Sequence, residues 1–308
     1  GDALFTATSA TCVTGLVLHD TALYWSPFGQ LVILLLIQVG GMGVVTIAVA
    51  IFMFAGKRIG LKQRWVMQES ISAPQVGGIV RMTGFILKTA FLIEGIGALL
   101  LALRFCPQFG LGRGLWYAVF HSVSAFCNAG FDLMGVNSPF SSLTDYVGDP
   151  LVSNVIAFLI IIGGVGFLTW NDIREHKLHF RRYRLQSKLI LTTTLALILT
   201  GLLFFLLYEF EQGQWVDMSL WERINAAFFQ SVTPRTAGFN TVDLTGLSQP
   251  AQLLIILLML VGGSPGSTAG GFKTTTLAVM LLGIRAVFRH KERPQCFGRR
   301  IADESIRN

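Results

Sequence analysis

Apolar residues in this chain are gathered into long charge-free runs over residues 27–56, 150–171, 189–208 and 244–272. Each run reaches the roughly 20 residues that an α-helix needs to cross about 30 Å of hydrocarbon. A fifth run over 82–103 is equally apolar but carries Lys88 and Glu94. Outside these runs lie three apolar stretches of only about ten helical residues, too short to cross a bilayer. Each ends in a glycine turn: Cys12-Val13-Thr14-Gly15, Cys127-Asn128-Ala129-Gly130 and Arg235-Thr236-Ala237-Gly238.

The short stretches are copies of one another. Aligned on Gly15, Gly130 and Gly238, each has Phe ten residues earlier (Phe5, Phe120, Phe228) and Ala twelve residues earlier (Ala3, Ala118, Ala226). A second repeat, Gly40-Gly41-Met42-Gly43, Gly163-Gly164-Val165-Gly166 and Gly262-Gly263-Ser264-Pro265-Gly266, begins 25, 33 and 24 residues after those glycines. The pattern predicts an all-α membrane protein built from a repeated unit of helix, re-entrant pore hairpin and spanning helix around a central pore.

Charge sets the expected orientation. Lys and Arg number five over 57–81, six over 172–188 and seven over 285–308, against two each over 104–149 and 209–243. The first three segments are therefore expected to be cytoplasmic and the glycine turns to face outward. With 52% hydrophobic and 13% charged residues, a soluble enzyme is not expected. The net charge of +7 follows from topology, so no nucleic-acid partner is needed. Four cysteines lack metal or redox spacing and read as small packing residues. His19 and His121 flank the turns and are expected to pack them.

Glycine turns at membrane depth are tolerated only where they are buried or line water. Converging on one axis, they present carbonyl oxygens to a dehydrated cation, with the negative helix ends directed at the centre. The residues quoted above at the three turns are thus the candidate selectivity filter, holding potassium through backbone carbonyls. The segment Gly262-Gly263-Ser264-Pro265-Gly266-Ser267-Thr268-Ala269-Gly270-Gly271-Phe272-Lys273 cannot continue a helix and must unwind in the membrane. It approaches a phosphate-binding loop, but Phe272 separates glycine from lysine and no strand precedes it. An ion-coupled secondary transporter with broken helices binding the ion at the midplane is the alternative reading. Glu94 and Lys88 lie six residues apart, on different helix faces; Glu94 is expected to meet a buried polar partner and Lys88 to reach toward water.

The stretches around the turns, including Ser122-Val123-Ser124-Ala125-Phe126-Cys127-Asn128-Ala129-Gly130-Phe131-Asp132 and Ser231-Val232-Thr233-Pro234-Arg235-Thr236-Ala237-Gly238-Phe239, resemble the filter loops of the Ktr/Trk/HKT superfamily of potassium transporters, most nearly its bacterial KtrB membrane subunits. The resemblance covers essentially the whole chain. It implies potassium uptake at the plasma membrane, a gating role for Gly262–Gly271 with Lys273, a homodimer surrounded by lipid, and a cytosolic ring of nucleotide-binding (ATP/ADP) regulatory subunits. Potassium is the expected transported ion, no covalent cofactor is implied, and sodium or proton coupling is left open. Four units are the family pattern. The expected organisation is a first repeat over 1–56 lacking its opening helix, a loop over 57–81, a second repeat over 82–173, a loop over 174–188, a third repeat over 189–284 with the gating loop at 262–276, and a linker over 285–308 toward a fourth repeat outside this sequence. Three filter segments alone are expected not to conduct.

Overall fold

The structure is a computed structural model, and it describes residues 1–43, 46–47, 50–51, 65–66, 79–177, 179–290 and 295–300. Most of the expected cytoplasmic loop over 57–81, and much of the stretch over 285–308, lie outside the described residues.

Helices account for nearly all of the described regular structure. In chain order they are α1 (Asp2–Thr11), α2 (Thr21–Tyr24), α3 (Pro27–Met42), α4 (Ile79–Phe109), α5 (Leu111–Phe126), α6 (Pro150–Val165), α7 (Phe167–His176), α8 (Leu185–Phe204), α9 (Leu220–Val232), α10 (Gln249–Leu260) and α11 (Thr274–Phe288). A two-residue-per-strand hairpin, Gln295–Cys296 with Arg299–Arg300, follows α11. The expected all-helical fold is observed. The pore helices α1, α5 and α9 are 10, 16 and 13 residues long.

Local sequence explains where the helices start. Ser26, Asp149 and Ser248 each accept a backbone N–H in the first turn of α3, α6 and α10, and proline occupies one of the first two helical positions in all three. Proline has no N–H to leave unpaired there, so cap and proline together define the entry. Ser219 and Glu222 form a capping box on α9, and the Ser219 N–H holds the Glu222 carboxyl below its usual range. Arg104 at the end of α4 pairs with the capping Asp149, joining two helices of one unit at the same end.

Glycines let the helices of each unit approach closely. A β-carbon at Gly97 would stand 2.5 Å from the Ser122 hydroxyl, and one at Gly201 would stand 2.8 Å from Ser231 Cβ. The long helices α4 and α8 thereby lie flush on the pore helices α5 and α9, the small-residue packing that membranes favour.

The apolar runs are not all unbroken spans. Among the described residues, Val80–Phe109 and Leu185–Glu209 are long and apolar enough to cross a membrane. Helix α3 ends at Met42, α6 turns through 95° into α7 at Gly166, and α10 ends at Leu260. The expectation of uninterrupted helices after the first two glycine turns is therefore corrected. The break falls at equivalent glycines, Gly43 at φ +82° and Gly166 at φ +95°, and such angles are open to glycine alone at little cost.

Candidate functional site

The three glycine turns come together. A β-carbon placed on Gly15 would stand 2.6 Å from the Ala129 carbonyl oxygen, and one on Gly130 would stand 2.3 Å from the Ala237 carbonyl oxygen. The first turn thus touches the second, and the second touches the third. A β-carbon on Gly238 would meet only Gly130 Cα, at 3.6 Å. The contacts run in sequence order and do not close a ring.

Each turn has the same backbone. The glycines have φ of +74°, +71° and +86°, and the residues two positions earlier, Val13, Asn128 and Thr236, have φ of +55°, +56° and +69°. Asparagine tolerates the left-handed region, but for the β-branched Val13 and Thr236 it is an outlier. Conformations of this kind persist only where the surroundings impose them, and they cluster at functional sites.

A hydroxyl stitches each turn to its own helix. Ser9 Oγ donates to the Leu16 carbonyl at 2.7 Å, Ser124 Oγ to that of Phe131 at 2.6 Å and Thr233 Oγ1 to that of Phe239 at 2.6 Å. The acceptor is always the residue after the glycine. The donor lies six residues before the glycine in the first two copies and five before it in the third. The third turn is therefore one residue shorter. With that shift, Ala118 and Phe120 of α5 correspond to the buried Ala227 and Phe229 of α9. The match to Ala226 and Phe228 drawn from glycine alignment is corrected by one position.

These hydroxyls were not singled out in the sequence, although a Ser or Thr at the end of each pore helix was the available signal. Replacing Ser124 with Ala should cost roughly 1 kcal/mol of stability, because one buried hydrogen bond to the Phe131 carbonyl is lost. Thermal unfolding in detergent measures this, and Ser124→Thr, which keeps the hydroxyl, should retain the parental stability.

In its first two copies the second glycine repeat packs against the pore-helix ends. A β-carbon on Gly40 would lie 2.0 Å from the Thr11 carbonyl oxygen, and one on Gly163 would lie 2.0 Å from that of Phe126. Thr11 and Phe126 both stand four residues before their turn's glycine. A Gly163→Ala change should therefore reduce folded, membrane-extracted protein severalfold, since backbone carbonyls cannot withdraw cheaply from a close contact. Thermal stability in detergent reads the effect.

The loop between α10 and α11 is folded back on itself and onto the second unit. Gly262 N–H donates to Phe272 O, Gly263 N–H to Gly270 O and Thr274 N–H to Gly263 O, at 3.0, 3.1 and 3.2 Å. Lys273 Nζ donates to the Ala269 carbonyl at 3.0 Å. Ser264 and Thr268 N–H groups donate to the carbonyls of Gly164 and Gly163, and Phe167 N–H donates to Gly266 O at 2.7 Å. Thr268 Oγ1 donates to Phe126 O at 2.8 Å, reaching the last carbonyl of the second pore helix. A cavity of about 240 Å³ lies between this loop, at Gly266 to Gly270, and Cys12, Val13 and Gly40 of the first unit.

Other expected residues fall as follows. Cys127 and Ala129 are fully buried, Cys12 is exposed, and Arg235 is buried with its Nε unpaired among the described residues. All four cysteines are free thiols. His121 is buried, held between the Tyr117 carbonyl at 2.7 Å and the Leu133 N–H at 3.3 Å, so it ties the outer loop to its pore helix. His19 pairs with Asp2 at 3.0 Å and stacks on Tyr24. Glu94 is 4% exposed and Lys88 is exposed.

Comparison with known proteins places this architecture. Residues 1–308 match the family model described as TrkH, cation transport protein. The chain is 42% identical to the potassium/sodium uptake protein NtpJ of Enterococcus hirae over 99% of its length, and 42% identical to Ktr system potassium uptake protein B of Bacillus subtilis over 97%. It spans 66% of the length of each relative. The crystal structure of the potassium transporter TrkH from Vibrio parahaemolyticus superposes with a TM-score of 0.69 at 20% identity, over 94% of this chain and 56% of that one, which establishes a shared fold. This chain is a member of the TrkH family of cation transport proteins, which is not a family of enzymes.

Proposed function

We propose that the chain forms the ion-translocating part of a potassium uptake system, with the three glycine turns as segments of one selectivity filter. The observation that carries this reading is the shared backbone at Val13/Gly15, Asn128/Gly130 and Thr236/Gly238 in turns that touch one another. Left-handed residues alternating with others turn successive carbonyls to one side, the arrangement that replaces the hydration shell of a cation. The names of the relatives as potassium or potassium/sodium uptake proteins support potassium as the ion and admit sodium as a second one. The remaining side of the ring is assigned to a fourth segment of the same kind.

In this reading the loop over 262–276 is the gate. It lies across a cavity from the first turn, and Lys273 latches it shut through Ala269. The turns face outward at the plasma membrane, and the basic segments face the cytoplasm and receive a nucleotide-binding regulatory subunit. The complex works as a homodimer in lipid. The test is growth of an uptake-deficient cell at limiting potassium with the assembled system, with and without the regulatory subunit. Rescue that depends on potassium supports the assignment, and rescue by sodium alone contradicts it.

One observation favours a second reading. Gly43, Phe167 and Gly266, each at a helix break, line the same cavity, as broken helices line ion sites in secondary transporters. Potassium flux that saturates and requires a co-ion gradient would select this alternative.

A further inference from the structure

One intramembrane carboxylate takes no part in the site described so far. Glu94 sits midway along α4 and is 4% exposed, and among the described residues no cationic side chain pairs with it. Ionisable groups inside a membrane are costly and mark functional positions. Its donors come from two different units. Gln38 Nε2, on α3 of the first unit, donates to both carboxylate oxygens at 3.0 and 3.2 Å. Cys127 Sγ, in the second glycine turn, lies 3.9 Å from Oε1.

The surrounding contacts make a single node. Ser122 Oγ of the pore helix donates to the Glu94 backbone carbonyl at 2.6 Å, which fixes α4 against α5 at this level. Gly41, three residues after Gln38, has no room for a side chain, because a β-carbon there would lie 2.6 Å from Cys127 Cβ and Sγ. Cys127 is therefore pressed between α3 and the Glu94 carboxylate. The node occurs once: the equivalent of Cys127 is the exposed Cys12 in the first turn and the buried Arg235 in the third.

We propose that Glu94 is a positioning residue for ion selection, holding Cys127 and Gln38 so that the second glycine turn keeps its register against the first. The inference rests on the filter reading and extends it to a residue outside the turns. A hydrogen-bonding acceptor is what this role requires, so glutamine should serve and alanine should not.

The experiment measures potassium-over-sodium preference by competitive rubidium uptake in the assembled system, with membrane abundance measured in parallel, for Glu94→Ala, Glu94→Gln, Gln38→Met and Gly130→Ser. Glu94→Ala should lower the preference about fivefold and Gln38→Met should lower it less, while Glu94→Gln stays near the parent. If Glu94→Ala fails to accumulate, Gln38→Met carries the test. Parental preference in both, with Gly130→Ser impaired, overturns the role of Glu94 and leaves the filter standing. Equal loss in Glu94→Gln and Glu94→Ala overturns it too, by assigning the effect to charge. Unchanged preference in every variant, Gly130→Ser included, removes the filter reading itself.

Discussion

Replacing Gly130 with Ser is expected to reduce the preference for potassium over sodium by about tenfold in the protein that reaches the membrane, and to lower its abundance severalfold. Two constraints act together. Gly130 has φ +71°, where a residue with a β-carbon is strained by roughly 1–2 kcal/mol. Its β-carbon would also stand 2.3 Å from the Ala237 carbonyl oxygen, so the third turn must move as well. A carbonyl displaced by tenths of an ångström no longer matches the dehydrated ion, and sodium and potassium become harder to tell apart. Gly15→Ser should act in the same direction, since its β-carbon would meet Ala129 O at 2.6 Å. Gly238→Ser should act through backbone strain, because only Gly130 Cα lies near that position. Relative ion permeability is the readout, and parental selectivity in all three variants would refute the filter assignment.

The second large effect belongs to the loop. Lys273→Met, or a shortened segment over Gly266–Gly271, should raise potassium flux about tenfold without altering selectivity. Lys273 gives one charged hydrogen bond to Ala269 O, and bonds to charged groups contribute about 1.5–3 kcal/mol. Shortening also removes anchors that cross to the second unit, from Phe167 N–H to Gly266 O and from Thr268 Oγ1 to Phe126 O. Flux should then depend less on the regulatory subunit. Equal or lower flux from well-inserted protein would leave the loop with a packing role only.

Much of this was legible in the chain. The glycine turns and the second glycine repeat are local signals, and glycine at a fixed spacing carries its backbone meaning with it. The unwinding of Gly262–Gly271 was equally local, because a cluster of glycine, proline and small hydroxyl residues cannot sustain a helix. The breaks at Gly43 and Gly166 were hidden because the sequence on both sides of each is apolar, and hydropathy does not distinguish a straight helix from one bent through 95°. The one-residue shift in the third copy was hidden by its own sequence. Ala226-Ala227-Phe228-Phe229 fits either register, and only burial and the Thr233 hydrogen bond choose between them. The partners of Glu94 lie 56 and 33 residues away in sequence, on elements that only the fold brings together.

Locating the ion tests the central claim most directly. Crystals of the assembled transporter soaked in rubidium or thallium, with anomalous scattering recorded, should show a peak on the axis bounded by the turns at Gly15, Gly130 and Gly238, and the peak should weaken when sodium replaces the heavier ion. A strong peak confined to the cavity lined by Gly43, Phe167 and Gly266, with none between the turns, would contradict the filter and establish the ion site of a broken-helix transporter in its place.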